Sequence, residues 1–214
     1  MLLRHGRTAH NAGGVMQGQL DVALDGTGHA EAAAAAAALA ALSPAVLLTS
    51  DLARARDTAA PLAAAYGIQA RPDARLRELS LGTWEGLTGE QAQAAHPEEH
   101  AAWRRGEDVR RGGGATYREA GDRAVACLQE RLPAVPPDGT LLAVTHGGTA
   151  RAALGVLLDL PDARWGRLAP LGNACWSVLV EAPWGWRLER HGTTAGPLVG
   201  PASLDSFEAR GKPL

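Results

Sequence analysis

Short apolar runs along the chain alternate with longer amphipathic or alanine-rich segments. The runs at residues 1–3, 46–49 and 140–145 predict buried β-strands, with a further short strand at 68–71. The first run is so short for a strand that we expect the natural chain to start earlier. Helices are predicted at residues 28–42, 90–105 and 117–132. Two more are predicted, one that follows the strand at 46–49 and ends at about residue 66, and one that begins after residue 146. Residues 175–180 and 186–191 flank a turn and predict a β-hairpin.

Strands that alternate with helices in this way predict an α/β domain with a mostly parallel sheet. Ligands bind such sheets beyond the carboxyl ends of the strands, near a switch in strand order. His5 follows the first predicted strand, Ser50 and Arg54 follow the second, and His146 follows the strand at 140–145. We therefore predict a polar binding site where these strands end.

Composition narrows the class of protein. The 214 residues suit one domain, and a net charge of -2 with a pI near 6.4 gives no reason to expect nucleic acid or an anionic membrane as a partner. No apolar run is long enough to span a bilayer and no signal-peptide pattern is present, so a cytoplasmic location is expected. Cys127 and Cys175 lack metal-ligand spacing and are interpreted as free thiols of a reducing compartment.

The residue types at the strand ends suit phosphoryl transfer. A neutral imidazole can attack phosphorus and hold the phosphoryl group covalently. Guanidinium groups are always charged and match the forked geometry of phosphate, and amides at helix starts also bind anions. The candidate groups are Arg4, His5, Arg54 and His146, with the backbone amides of Gly6, Gly147 and Gly148.

A leaving alkoxide needs a proton, which calls for a carboxylic acid close to the phosphate charge. Glu78 in "LRELSLGTWEG" is the candidate, and Glu85 in the same stretch is its rival. No metal-ligand cluster, P-loop or cysteine phosphatase loop occurs in the sequence. This pattern favours metal-independent transfer through histidine, with no cofactor.

Five motifs, in order, resemble those of the histidine phosphatase superfamily, also called the phosphoglycerate mutase-like family. They are "LRHGRTAHN", "QGQLDVALDGTG", "SDLARARDTA", "RLRELSLGTWEGLT" and "VTHGG". The resemblance implies a three-layer α/β/α sandwich with a mostly parallel central sheet and a helical cap insertion at about 86–135. It also implies one domain over residues 1–199, and we expect a loose tail at 200–214.

The resemblance also assigns roles to residues. His5 would be the nucleophile that becomes phosphohistidine, and Glu78 the proton donor and later the base for water. Phosphoryl binding would fall to Arg4, Arg54 and His146. The residues implied to contact phosphate or substrate are Asn11, Gln17, Gly18 and Gly147.

Within the superfamily, "RELSLGTWEGLT" resembles the phosphatase branch. "VMQGQLD", "LPDARWGRLAPLGNACWSVL" and "WRLERHGTTA" resemble the actinobacterial glucosyl-3-phosphoglycerate phosphatases. A small phosphorylated metabolite, such as that compound or another sugar or glycerate phosphate, is the implied substrate. The alternatives are a broad-specificity or α-ribazole phosphatase, a phosphoglycerate mutase and a non-catalytic phospho-ligand binding module. The cap carries "GGGATYREA" where the family often has Gly-Gly-Glu-Ser, and cap residues help to select the substrate in this family.

Several residues keep two interpretations. Arg7 and His10 are interpreted as surface or rim residues. Arg110 and Arg111 belong either to a charged flexible loop at 110–116 or to a site for an anionic second group such as a carboxylate. Trp84 is either pocket wall or core. An edge strand near 175–180 could pair with a second copy to form a homodimer.

Overall fold

A six-stranded mixed sheet forms the centre of the computed structural model, which describes residues 1–195. The strand order is β3-β2-β4-β1-β5-β6; the first four are mutually parallel, and β5 and β6 are antiparallel. The strands are β1 Leu2–Arg4, β2 Val46–Thr49, β3 Arg71–Pro72, β4 Leu141–Thr145, β5 Trp176–Ala182 and β6 Gly185–Thr193. The predicted strand at 68–71 is thus reduced to two residues at 71–72.

Seven α-helices are found in this part of the chain. They are α1 Ala9–Ala12, α2 Gly26–Ala38, α3 Ala53–Tyr66, α4 Gly89–Ala95, α5 Pro97–Arg104, α6 Tyr117–Arg131 and α7 Gly147–Leu157. The Asp25 side chain accepts a hydrogen bond from the Gly28 amide and caps α2. Helix α2 therefore begins at Gly26, two residues before the predicted start at residue 28. A 3₁₀ turn at Ala40–Leu42 forms the end of the segment predicted as one helix.

The single helix predicted at 90–105 is wrong, because the chain breaks between α4 and α5. His96 has φ −137° and ψ 61°, which is not helical, and Pro97 follows it. The proline ring clashes with an α-helical conformation of the preceding residue, yet it suits the first position of a new helix. The chain therefore forms two short helices here instead of one.

The two faces of the sheet are covered by different helices. Leu2 lies in a core cluster with residues of α6 and α7, whereas Leu3 lies in a second cluster with residues of α2 and α3. Successive side chains of a strand point to opposite faces, so both faces of β1 are buried. The result is the three-layer α/β/α arrangement that the family resemblance implies.

Strand β5 is not at an edge of the sheet, because the order places it between β1 and β6. The prediction that the segment at 175–180 offers a free edge to a second copy is therefore wrong. The loose tail predicted at 200–214 lies outside the described residues. Among residues 1–195, no helix has the length and apolar character needed to cross a membrane.

Candidate active site

Three neighbouring strands deliver polar side chains to one edge of the sheet. Ser50 follows β2, His146 follows β4 and His5 follows β1, and these strands are adjacent in the order β2-β4-β1. A cavity opens above this edge. The predicted site residues that line it are Arg4, His5, Asn11, Gln17, Gly18, Arg54, Glu78 and Gly147.

His5 is held in the tautomer that a nucleophile needs. Its Nδ1 lies 2.7 Å from the carbonyl oxygen of Gly6, and a carbonyl can only accept, so Nδ1 carries the proton and Nε2 is left with its lone pair. The side chain is 3% exposed. Burial, followed by the neighbouring Arg4 and Arg54 charges, holds the pKa of His5 well below 6.5. The imidazole is therefore neutral near pH 7.

His146 is fully buried behind the cavity wall, with its ring centroid 5.1 Å from that of His5. The Nε of Arg54 donates to His146 Nδ1 at 3.2 Å, and His146 Nε2 lies 2.8 Å from the Ser50 hydroxyl. Both ring nitrogens therefore have protein partners in this structure. Burial, with Arg54 as the next cause, holds the pKa of His146 well below 6.5.

Arg54 is fixed at all three of its nitrogens. Besides the bond to His146, Nη1 donates to the Leu20 carbonyl at 2.6 Å and Nη2 to the Gly18 carbonyl at 2.8 Å. Each Nη keeps a second N–H. Burial lowers the pKa of Arg54 to about 10, so the guanidinium stays charged near pH 7.

Arg4 ends strand β1 and supplies the second guanidinium. Its Nη1 donates to the Leu171 carbonyl at 2.6 Å, while its buried Nε has no hydrogen-bond partner among residues 1–195. Gly147 leaves room for this group, because a Cβ there would lie 3.4 Å from the Arg4 Nε. Burial lowers the pKa of Arg4 from 12.5.

The Glu78 carboxylate is held by the start of helix α7. Oε1 accepts from the amides of Thr149 at 2.9 Å and Leu79 at 3.0 Å, and it lies 3.1 Å from the Thr149 hydroxyl. Oε2 accepts from the Gly148 amide at 3.0 Å. Arg123 holds the backbone beneath it, since its Nη2 donates to the Glu78 carbonyl at 2.9 Å.

These contacts correct two predictions about backbone amides. The Gly148 amide was expected to face phosphate, but it binds Glu78. The Gly6 amide was expected to do the same, but it donates to the Thr58 hydroxyl at 2.9 Å. Gly147 remains in the cavity lining beside Arg4. The helix start thus positions a carboxylate rather than an anionic ligand.

Glu85, the rival acid, joins two loops instead of lining the cavity. Its Oε1 accepts from the amides of Gln19 at 3.1 Å and Leu81 at 3.0 Å. Gly18 has φ +50°, and a Cβ on it would lie 2.3 Å from Glu85 Oε1, so this junction requires glycine. Glu85 therefore has a structural role, and Glu78 is the carboxylate in the site.

Asn11 and Gln17 offer amide groups to the cavity. Asn11 closes a capping box with Thr8 at the start of α1, and its Oδ1 also accepts from Asn173 at 3.2 Å. Gln17 lies with its Oε1 3.0 Å from the Thr8 hydroxyl. Because the oxygens of both amides face protein donors, their NH₂ groups are the parts left for a ligand.

The residues with two interpretations separate in the structure. Arg7 pairs with Asp25 at 2.9 Å, and neither Arg7 nor His10 lines the cavity. Trp84 is fully buried in a core cluster and is likewise absent from the lining. Arg110 is exposed and pairs with Glu119, whereas Arg111 is buried and lines the cavity.

Sequence reasoning missed several residues of the site. Four of the side chains on the cavity wall carried no sequence signal that distinguished them from core or surface residues: Trp103, Tyr117, Arg151 and Pro170. Three further residues hold the site from outside: Thr58 accepts from the Gly6 amide, Arg123 donates to the Glu78 carbonyl, and the Thr149 amide donates to the Glu78 carboxylate. No group of three or more potential metal ligands occurs among residues 1–195.

The chain is similar to known proteins over most of its length. The family model for the histidine phosphatase superfamily (branch 1) matches residues 1–194. A glucosyl-3-phosphoglycerate phosphatase of Mycobacterium tuberculosis is 39% identical over 186 residues, which cover 84% of this chain and 83% of that protein. A probable phosphoglycerate mutase of Yersinia enterocolitica is 35% identical over 204 residues, which cover 91% of this chain and 92% of that protein.

Solved structures agree with the sequence comparison. The structure of a mycobacterial glucosyl-3-phosphoglycerate phosphatase with VO3 matches with a TM-score of 0.85 and 38% identity, over 90% of this chain and 98% of that one. YhfR of Bacillus stearothermophilus matches with a TM-score of 0.82 and 25% identity, over 89% and 95%. The sandwich fold and the family resemblance are confirmed, and the chain belongs to the histidine phosphatase superfamily (branch 1).

Proposed function

We propose that this protein is a phosphomonoesterase that works through a phosphohistidine at His5, without a metal ion or other cofactor. The observation that carries the proposal is the tautomer of His5. The Gly6 carbonyl holds the proton on Nδ1, which leaves Nε2 as a lone-pair donor in a cavity that also contains Arg4, Arg54 and Glu78. A buried neutral imidazole among guanidinium groups suits attack on phosphorus.

The first step transfers the phosphoryl group to His5. The Nε2 lone pair forms a bond to phosphorus while the bond from phosphorus to the leaving oxygen breaks. Protonated Glu78 gives its proton to that oxygen, so an alcohol leaves and Glu78 becomes a carboxylate.

The second step returns the enzyme to its starting state. The Glu78 carboxylate removes a proton from water, whose oxygen forms a bond to phosphorus as the bond to Nε2 breaks. Inorganic phosphate leaves, His5 is neutral again and Glu78 is protonated again. One carboxylate thus serves as acid and then as base, because the second half-reaction resembles the reverse of the first with water in place of the alcohol.

Arg4 and Arg54 stabilise the charge that spreads over the equatorial phosphoryl oxygens. Arg54 can do so through its remaining Nη hydrogens, and His146 acts as a positioning residue by accepting from its Nε. The N–H that His146 could offer to phosphate is on Nε2, which lies 2.8 Å from the Ser50 hydroxyl, so a direct contact with phosphate would have to replace the bond to Ser50. Asn11, Gln17 and the Gly147 amide complete the set of donors that line the cavity.

The substrate we propose is a small phosphorylated metabolite of the glucosyl-3-phosphoglycerate type. The support is similarity to phosphatases of that name at 39% identity. The mutase alternative rests on relatives at 35% identity and is less favoured. Broad-specificity phosphatase, α-ribazole phosphatase and non-catalytic phospho-ligand binding remain as outcomes of the test below.

The test is a phosphatase panel in buffer that contains EDTA. Purified wild type, His5→Ala, Glu78→Gln and the control His10→Ala are assayed with p-nitrophenyl phosphate, glucosyl-3-phosphoglycerate, α-ribazole phosphate and sugar phosphates. We expect His5→Ala to lose at least about a thousandfold in kcat, because it removes the nucleophile. His10 lies outside the cavity lining, so His10→Ala is expected to match wild type.

Two further measurements separate the alternatives. Acid-labile phosphate should accumulate on wild type and not on His5→Ala when the reaction is quenched early. Interconversion of phosphoglycerates with 2,3-bisphosphoglycerate supplied would identify a mutase instead. Phosphatase activity retained by His5→Ala, or activity abolished by EDTA, would overturn the proposed mechanism. Equal kcat/KM across the panel would overturn the proposed substrate class alone.

A further inference from the structure

Arg111 is a buried cation in the wall of the active-site cavity. It begins the 3₁₀ turn Arg111–Gly113 between α5 and α6, and its side chain is 7% exposed. Its Nε is buried and has no hydrogen-bond partner among residues 1–195, and no carboxylate of the described chain pairs with it. Charged side chains are rarely buried without a partner, because burial removes their hydration. The guanidinium therefore has no counter-ion among the described residues. An anionic group of a ligand in the cavity could supply one.

Two aromatic rings cover the guanidinium of Arg111. Its Cζ lies 4.8 Å from the centroid of the Tyr117 ring and 5.6 Å from that of Trp103. Contact with ring faces stabilises a cation without neutralising it. With rings over the guanidinium, its N–H groups point outward in the guanidinium plane. That edge suits a planar acceptor with two oxygens.

The turn that carries Arg111 packs closely against the loop after Glu78. Gly112 has φ +59°, and a Cβ there would lie 2.5 Å from the Leu81 carbonyl oxygen. A Cβ on Gly114 would lie 2.1 Å from the Ser80 carbonyl oxygen. Only glycine permits this approach of two backbones. These close approaches place Arg111 against the loop that follows Glu78.

Arg110 shows what the neighbouring position does instead. Its side chain is exposed and forms an ion pair with Glu119 at the start of α6. The two arginines are therefore chemically alike but differ in burial, pairing and access to the cavity. Arg110 is a matched control for Arg111.

We propose that Arg111 determines specificity by binding a carboxylate of the substrate, at a distance from the phosphoryl group bound by Arg4 and Arg54. This inference rests on the proposed phosphatase function and adds the second anionic group that the substrate carries. A single guanidinium matches the single charge of a carboxylate and its two coplanar oxygens. The substrate class is then a phosphorylated hydroxy acid rather than a phosphorylated sugar that has no carboxylate.

The test compares two substrates that differ only at the carboxylate. Glucosyl-3-phosphoglycerate carries the carboxylate, and 2-O-glucosylglycerol 3-phosphate has a hydroxymethyl group in its place. The measured quantity is the ratio of kcat/KM for the acid to kcat/KM for the alcohol. We expect Arg111→Met to lower this ratio about 10- to 100-fold, since a buried charge-assisted pair is lost. Arg111→Lys should restore part of the ratio, and Arg110→Met should leave it unchanged.

Each outcome has one interpretation. A ratio near one in wild type, or a ratio that Arg111→Met does not change, overturns the carboxylate assignment. An equal loss for both substrates in Arg111→Met and Arg111→Lys indicates a structural role and also overturns it. A wild type that hydrolyses neither compound nor p-nitrophenyl phosphate refutes the phosphatase proposal itself. A third substrate carries a phosphate in place of the carboxylate. If Arg111→Met lowers kcat/KM for this substrate in parallel with kcat/KM for the acid, Arg111 accepts any anion.

Discussion

Acidification below pH 6.5 is expected to destabilise the folded protein steeply, because two buried imidazoles stay neutral in the folded state. The pKa values of His5 and His146 are lowered well below 6.5, chiefly by burial and then by adjacent arginine charges. In the unfolded chain both imidazoles protonate near pH 6.5. The unfolded state therefore binds more protons in this window, so stability rises with pH up to about 6.5 and is lost as the pH falls.

The size of the effect follows from the number of groups. Each histidine that is neutral when folded and protonated when unfolded contributes a slope of about 1.4 kcal/mol per pH unit. Two such groups give about 2.7 kcal/mol per unit between roughly pH 6 and the lowered folded-state pKa. A domain with about 5–15 kcal/mol of total stability has little reserve against that slope.

The assay is urea unfolding at a series of pH values from 7.5 to 5.0, with wild type and His5→Gln. Glutamine is neutral throughout, so this variant removes the titrating group. The free energy of unfolding of His5→Gln should fall with acid by about 1.4 kcal/mol per unit less than that of wild type. His29 is exposed on α2, and His29→Gln is the control whose slope should equal that of wild type.

Equal slopes for wild type and His5→Gln would refute the reasoning, since they would mean that His5 protonates alike in the folded and unfolded states. The same result would mean that His5 of the folded protein takes up a proton near pH 6.5, as it does in the unfolded chain. A difference of opposite sign would mean that the arginines do not oppose the imidazolium. Activity provides an independent check, because kcat/KM should not decline between pH 7.5 and 6.5 through protonation of His5.

Two other perturbations test how the loops hold the site. Gly112→Ala places a Cβ 2.5 Å from the Leu81 carbonyl oxygen at a positive φ, so it should lower the free energy of unfolding by about 1–3 kcal/mol, measured in urea. Gly113→Ala has a positive φ but no atom within 4 Å of its Cβ, so it should cost only about 1 kcal/mol, and an equal cost would contradict the packing argument. Arg123→Met removes a donor to the Glu78 carbonyl and should lower kcat roughly tenfold with little change in KM, as judged by steady-state kinetics; an unchanged kcat would show that the loop is held without it.

The parts of the fold that could be predicted are those with a local signal. The strand at 140–145 is apolar on both faces, as a central parallel strand must be, and β4 covers 141–145. The break at His96 had a signal in Pro97, which the helical pattern around it obscured. The two-residue strand β3 had almost no local sequence signal, because it pairs with β2 alone.

The convergence of His5, Arg54 and His146 at one edge of the sheet was predictable from their positions after strands, but their hydrogen-bond partners were not. An amide at a helix start can bind phosphate or a carboxylate equally well, and only the tertiary contact of Glu78 with Gly148 shows which it binds. Arg110 and Arg111 are indistinguishable as letters in a glycine-rich loop. Their difference arises from Trp103 and Tyr117, which lie on other segments and cover Arg111 alone.

The two Glu78 carboxylate oxygens accept different numbers of hydrogen bonds, and this difference has a stereochemical consequence. Oε1 accepts from two amides and lies beside a hydroxyl, whereas Oε2 accepts from one amide. A proton added at Oε2 displaces the fewest donors, so the acid form carries its hydrogen on that atom. In the mechanism that we propose, the leaving oxygen then approaches Oε2, and the first turn of α7 thereby limits the directions from which an ester can be cleaved.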